Sequence, residues 1–270
     1  MGSLLVFAAL CAVLVFAYKT SIVLGIVCSV LEIFFVWMFY GWKINLGRAN
    51  AEFAKKNYDE AMKYYKKAYN SKNRKYEVDI SYAQALLRTG NTEEAEKIVD
   101  NILSMRVTQD LKRAAKQTRC LIYSKTDRVD EAYEEAKELF YDDGYVTSNT
   151  YCLLGYLMLL KSDIPLKETT EHCEKAYDYD SDNRDNVDNL IVCCLREGDY
   201  KRAAELSDKL CEEHPQFVEA FYHGAAAYLK LGNRDKAREL ASKIKDCTRS
   251  FMTTVSEKEV GELCRELGAE

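Results

Sequence analysis

Helix breakers are scarce in this sequence: two prolines, Pro165 and Pro215, and 12 glycines are spread over 270 residues. Long runs can therefore stay helical, and a collagen-like, proline-rich or disordered chain is excluded by a 48% hydrophobic content. Histidine is scarce as well, with three residues. His172, His214 and His223 sit in no catalytic pattern, and neither a phosphate loop nor a nucleophile elbow occurs. The ten cysteines contain no Cys-x-x-Cys pair, so neither a zinc ribbon nor a disulfide framework is indicated. Most lie in helical patterns where a small apolar side chain packs, and reduced thiols are expected. No cofactor, metal, nucleic acid or enzymatic chemistry finds support.

Charge is nearly missing from residues 1–42, where Lys19 and Glu32 are the only charged side chains. Ser3 to Tyr18 and Ile22 to Trp42 are otherwise apolar runs. At 1.5 Å per residue they would span about 27 Å, counted from Met1, and about 32 Å, against a hydrocarbon core of about 30 Å. A two-helix transmembrane hairpin turning near Lys19 is expected. A cleaved signal peptide is disfavoured, since no basic segment precedes the first run, and Val6 stands where a myristoylation signal needs Ser or Thr.

The next 33 residues are strongly basic. Lys43 to Lys75 hold ten Lys or Arg against Glu52, Asp59 and Glu60, although the whole chain has a net charge of -5. Such a flank favours the cytoplasmic side and contact with anionic lipid near residues 43–75. The expectation is a multi-pass protein of the cell membrane, with both termini and the remainder of the chain cytoplasmic. Glu32, mid-span, would cost about 2.5 to 3.5 kcal/mol to insert unpaired. It is therefore a candidate intramembrane contact to another membrane protein.

The rest of the chain repeats itself. Lys56-Asn57-Tyr58-Asp59-Glu60-Ala61, Gly90-Asn91-Thr92-Glu93-Glu94-Ala95, Asp127-Arg128-Val129-Asp130-Glu131-Ala132, Gly198-Asp199-Tyr200-Lys201-Arg202-Ala203 and Gly232-Asn233-Arg234-Asp235-Lys236-Ala237 are five copies of one turn, and a weaker copy has Thr169 in the alanine place. A helical face precedes each turn, with Ala49, Ala83, Cys120, Gly155, Ile191 or Ala225 at the close contact. A second helix follows, anchored by pairs such as Val99 and Ile102 or Ser207 and Leu210. Small residues at a crossing let two helix backbones approach. Added length falls at Leu103 to Lys112 and around Lys161 to Pro165, and the hairpin carrying Thr169 is expected to cross less closely than its neighbours.

This pattern resembles the tetratricopeptide repeat family, most fully in Phe221 to Ala237, with Leu154-Gly155 and the closing Pro215 as further matches. The resemblance implies an all-α fold: the N-terminal hairpin over 1–42, a right-handed superhelix of about six helical hairpins over 43–247, and a linker and capping helix over 248–270. Ser256 to Glu259 fits a capping box at the start of that last helix. The family lines its concave groove with first-helix residues. Here these are Asn50, Gln84, Arg88, Gln117, Lys125, Tyr156, Asp188, Arg196, Tyr222 and Lys230, for an unidentified protein or peptide segment. Leu46 stands where the co-chaperone branch has its first clamp lysine, so that branch's ligand is not implied. The run from Asp178 to Asn189 lacks the glycine and final glutamate of a calcium loop. The expected function is a membrane-anchored interaction scaffold or adaptor; the alternative is a structural or assembly subunit of a membrane or envelope complex.

Overall fold

The structure, a computed structural model, describes residues 2–213 and 215–268, with side chains from residue 9 onward. His214 therefore lies outside the described residues. The chain divides into two compact units, Met1–Tyr82 and Ala83–Glu270. The elements are α1 (Gly2–Thr20), α2 (Ile22–Ala54), α3 (Tyr58–Tyr69), α4 (Tyr76–Arg88), α5 (Thr92–Ser104), α6 (Gln109–Ser124), α7 (Val129–Lys137), α8 (Ser148–Leu160), α9 (Leu166–Tyr179), α10 (Arg184–Glu197), α11 (Tyr200–Glu212), α12 (Val218–Lys230), α13 (Arg234–Lys243) and α14 (Glu257–Leu267).

In the first unit α1 turns back on α2 at Ser21, whose backbone is extended. The ring of Tyr18 lies against Gly25, where a Cβ would fall 2.4 Å from it, and the Tyr18 hydroxyl is 3.2 Å from Ser29 Oγ. The expectation of two membrane spans is corrected. Among the described residues one helix, Ile22–Ala54, is long and apolar enough to cross a membrane. Within α1 the described apolar stretch, Ala9–Thr20, does not meet that test. The multi-pass localisation rested on two spans and falls, as does the placement of both termini on one side that followed from it. A second difference concerns where the apolar helix stops. With no proline between Trp42 and Ala54, α2 continues through Gly47 and becomes the first helix of the first repeat, packing on α3.

The repeats explain the remaining helices. In the second unit α6 and α7, α8 and α9, α10 and α11, and α12 and α13 pack as hairpins. The turn alanines Ala95, Ala132, Ala203 and Ala237 are fully buried, as is Ala61 in the first unit; Thr169 replaces alanine at 2% exposure. Asn91, Asp199 and Asn233 cap the second helices by accepting the N–H groups of Glu94, Arg202 and Lys236. Extra length at Leu103 to Lys112 becomes one more helical turn, so α6 has 16 residues where α8 and α12 have 13. The fourth hairpin is not looser at its crossing. A Cβ on Gly155 would meet Cys173 Sγ at 3.2 Å, close to the 3.1 Å that one on Gly224 would find at Leu240 and Ser207. In α14 the Ser256 and Glu259 capping box is formed, and Leu263 and Leu267 pack with Val218, Phe221 and Leu240.

Candidate functional site

First helices of successive repeats lie side by side in the second unit: α6 beside α8, α8 beside α10, and α10 beside α12. Their shared inner face is organised around Glu219, on α12 and 9% exposed. Its carboxylate acts electrostatically on Lys125 of α6, Tyr156 of α8 and His223 of α12. Burial pulls the Lys125 ammonium below the ordinary lysine range, with Glu219 opposing, and burial pushes the Tyr156 hydroxyl up. His223 stands 2.8 Å from Asp188 of α10. Burial opposes its charge, but Asp188 together with Glu219 and Glu259 raises its pKa.

The residues expected to line a groove meet different fates. Lys125, Tyr156 and Asp188 belong to the inner face just described, and Arg88 at the end of α4 acts on Asp185 of α10. Gln84 is exposed and donates to Thr118 Oγ1 at 3.3 Å, and Gln117 is half-buried. The Arg196 guanidinium donates to the carbonyl of Leu159 at 2.9 Å and so caps the end of α8. Tyr222 packs into the last hydrophobic cluster, while Lys230 is exposed at the end of α12. Asn50 belongs to the first unit, where its Oδ1 accepts the Tyr65 hydroxyl at 2.6 Å. Glu32 is half-buried on α2, with Oε1 enclosed and making no hydrogen bond among the described residues. The Asp178 to Asn189 run is a helix start: Asn183 accepts the N–H groups of Asp185 and Asn186.

Sequence reasoning missed Glu219 and His223, which flank Tyr222 on the same helix. It also missed the segment after α13. Thr248 N–H donates to the carbonyl of Gln216 at 2.8 Å, and the chain then crosses the inner face. Phe251 N–H donates to the Arg88 carbonyl at 3.3 Å, and its ring lies against Gly90. Lys125 Nζ donates to the Thr253 carbonyl at 3.5 Å. Thr254 gives both its N–H, at 2.6 Å, and its hydroxyl, at 3.0 Å, to Glu219 Oε1. Among the described residues no group of three or more His, Cys, Asp or Glu side chains is placed to hold a metal ion.

Comparison with known proteins agrees with this architecture. The sequence model of the tetratricopeptide repeat family matches residues 52–120. That of the anaphase-promoting complex, cyclosome, subunit 3 matches residues 166–244. No curated protein matches the chain. Among solved structures, a tetratricopeptide repeat protein from Parabacteroides merdae is similar over 84% of this chain and 98% of its own, at 13% identity and a TM-score of 0.51. PilF of Pseudomonas aeruginosa is similar over 83% of this chain and 97% of its own, at 15% identity and a TM-score of 0.57. PilW, a type IV pilus biogenesis factor, is similar over 76% and 92%, at 12% identity and a TM-score of 0.57. At such identities the likeness is one of fold. The chain is an all-α solenoid of tetratricopeptide-type repeats.

Proposed function

We propose that this chain is a non-catalytic assembly subunit: α2 anchors it to a membrane, and the inner face of its second unit holds a segment of a partner protein. The observation that carries this reading is α2 itself. Ile22, Val23, Val30, Leu31, Ile33 and Trp37 are each at least 60% exposed on it, a surface that lipid or protein has to cover. The same unbroken helix then builds the first repeat, so anchor and repeat share one rigid element. An adaptor held to the membrane by a flexible tether needs no such continuity, which favours the assembly role. PilW, a type IV pilus biogenesis factor, has a similar fold, and the fold is therefore compatible with a part in assembly.

On this reading residues 1–42 hold the anchor, 43–247 the repeats and 248–270 the closing segment. The binding residues are Arg88, Gln117, Lys125, Tyr156, Asp188, Tyr222 and Lys230, with Gln84 and Arg196 at its edge and Asn50 as a contact of the first unit. Glu32, half-buried on α2, would meet a second membrane protein through the exposed part of its side chain, and the basic residues between 43 and 75 would meet anionic headgroups. Photo-crosslinking amino acids placed at Gln117, Lys230 and Glu32 of the full chain, in membranes, test this. Crosslinks to a defined partner set from Gln117 and Lys230 are expected, together with retention in the membrane pellet after carbonate washing. Release by carbonate would remove the anchor; crosslinks arising at Glu32 alone would move the binding role away from the inner face.

A further inference from the structure

The segment between Thr248 and Ser256 is fixed at its ends and lightly held in its middle. At one end Thr248 pairs with the strand-like residues ahead of α12, and at the other Val255 is buried, 6% exposed, beside the α14 core. Between them Ser250 to Thr253 form a turn with its own hydrogen bonds: Thr253 N–H to the Ser250 carbonyl at 3.0 Å, and Ser250 N–H to Thr253 Oγ1 at 3.1 Å. Its attachments to the inner face are polar contacts to Arg88, Lys125 and Glu219 and one aromatic ring, that of Phe251, still 41% exposed.

We infer that the Arg249 to Thr254 turn is an internal ligand of the inner face, and that the partner's contribution is a loop of the same chemistry that displaces it. The inference rests on the inner face being the binding surface. The chemistry is set by what the turn satisfies. Glu219 takes a main-chain N–H and a hydroxyl from one residue, Lys125 gives a proton to the preceding carbonyl, and Gly90 leaves room for an aromatic ring two residues before that. A partner loop therefore carries an aromatic residue three places before a serine or threonine. Swinging out the turn costs four hydrogen bonds, to Arg88, Lys125 and Glu219, while Val255, Leu263 and Leu267 stay packed, so exchange leaves the fold intact. Such a device holds the site filled, and Glu219 paired, until the partner arrives.

The experiment uses the full chain and a fluorescein-labelled peptide of residues 248–256. In a Phe251→Ala, Thr254→Ala variant the internal turn is weakened, and the peptide is expected to bind at least tenfold more tightly than to the parent. Adding Glu219→Gln should abolish that gain. Equal affinity of parent and variant overturns the inference. Should the variant lose helicity, hydrogen exchange on the parent decides: excess peptide is expected to speed exchange at the Phe251 and Thr254 amides while α12 amides are unaffected, and no change at those amides overturns it. Failure here with crosslinks intact at Gln117 and Lys230 leaves partner binding standing. Peptide exchange without such crosslinks would do the reverse.

Discussion

Asp188 Oδ1 lies 2.8 Å from His223 Nδ1, joining α10 to α12 through side chains that are 15% and 13% exposed. Burial disfavours the imidazolium, but Asp188, with Glu219 and Glu259 nearby, raises the His223 pKa above its ordinary value. A raised folded-state pKa contributes stability that is fully present below the unfolded value, about 6.5, and is lost as pH rises through the folded value. Thermal stability of the parent should therefore fall above about pH 6.5 by more than that of His223→Gln. Melting curves from pH 6 to 9 check this, and parallel profiles would contradict it.

The turns that open α3, α5, α7, α11 and α13 hold a left-handed residue at one place; the turn before α9 does not. Gly90, Gly198 and Gly232 supply it with φ of 85°, 82° and 80°, whereas Lys56 and Asp127 hold the same position at 64° and 57°. A residue with a Cβ pays roughly 1 to 2 kcal/mol in this region, aspartate less than lysine. Lys56→Gly is expected to stabilise the chain by about 1 kcal/mol and Asp127→Gly by less. Urea unfolding of each variant, with Gly198→Ala as a destabilised control, measures the difference.

Much of this architecture was legible because a repeat writes the same packing requirement several times. Ala83, Cys120, Ile191 and Ala225 all sit at the first-helix crossing and are all fully buried, though a cysteine and an isoleucine are unlike the family's usual residue. Phase carried the reading where identity did not. The length of α2 was not legible: hydropathy marks where an apolar run ends at Trp42, yet a helix ends only where something breaks it, and nothing does before Ala54. The occupied inner face was equally hidden. Lys125 and Thr253 are separated by 128 residues, and a turn that binds through its main chain leaves no periodic pattern. Arg196 matched a groove position by spacing, but its guanidinium satisfies the end of α8 instead.

Two helical glycines should respond oppositely to one methyl group. A Cβ on Gly224 would fall 3.1 Å from both Leu240 Cδ1 and Ser207 Cβ, the second being fixed to the backbone of α11. Gly224→Ala must push α11 or α13 away and should destabilise by about 1 to 2 kcal/mol, despite the better helix propensity of alanine. Gly261 in α14 has nothing within 4 Å of that position. Gly261→Ala should stabilise by about 0.5 to 1 kcal/mol. Chemical denaturation of the pair would show opposite signs; destabilisation by both would mean that α14 packs more tightly than its open glycine indicates.

Arg119 couples three successive helices. Its Nη2 and Nε donate to both oxygens of Glu135 on α7, at 2.5 and 2.9 Å, while Nη1 reaches Asp100 of α5 at 3.2 Å. Glu135 is 10% exposed and Arg119 26%, so the fork is largely shielded from solvent, whereas Asp100 is half exposed. Removing one member of such a pair costs more than removing both, because the remaining charge is left desolvated. Arg119→Met should therefore lose about 2 kcal/mol, and Arg119→Met with Glu135→Leu should recover most of it. Asp100→Asn, which removes only the exposed partner, should cost less than about 1 kcal/mol. Guanidinium would screen these charges, so urea unfolding of the parent, these variants and Glu135→Leu alone at low salt is the appropriate measurement. Additive losses in the double variant would show that Arg119 acts through its aliphatic packing and the Tyr123 ring, 5.8 Å from its guanidinium, and not through the carboxylate pair.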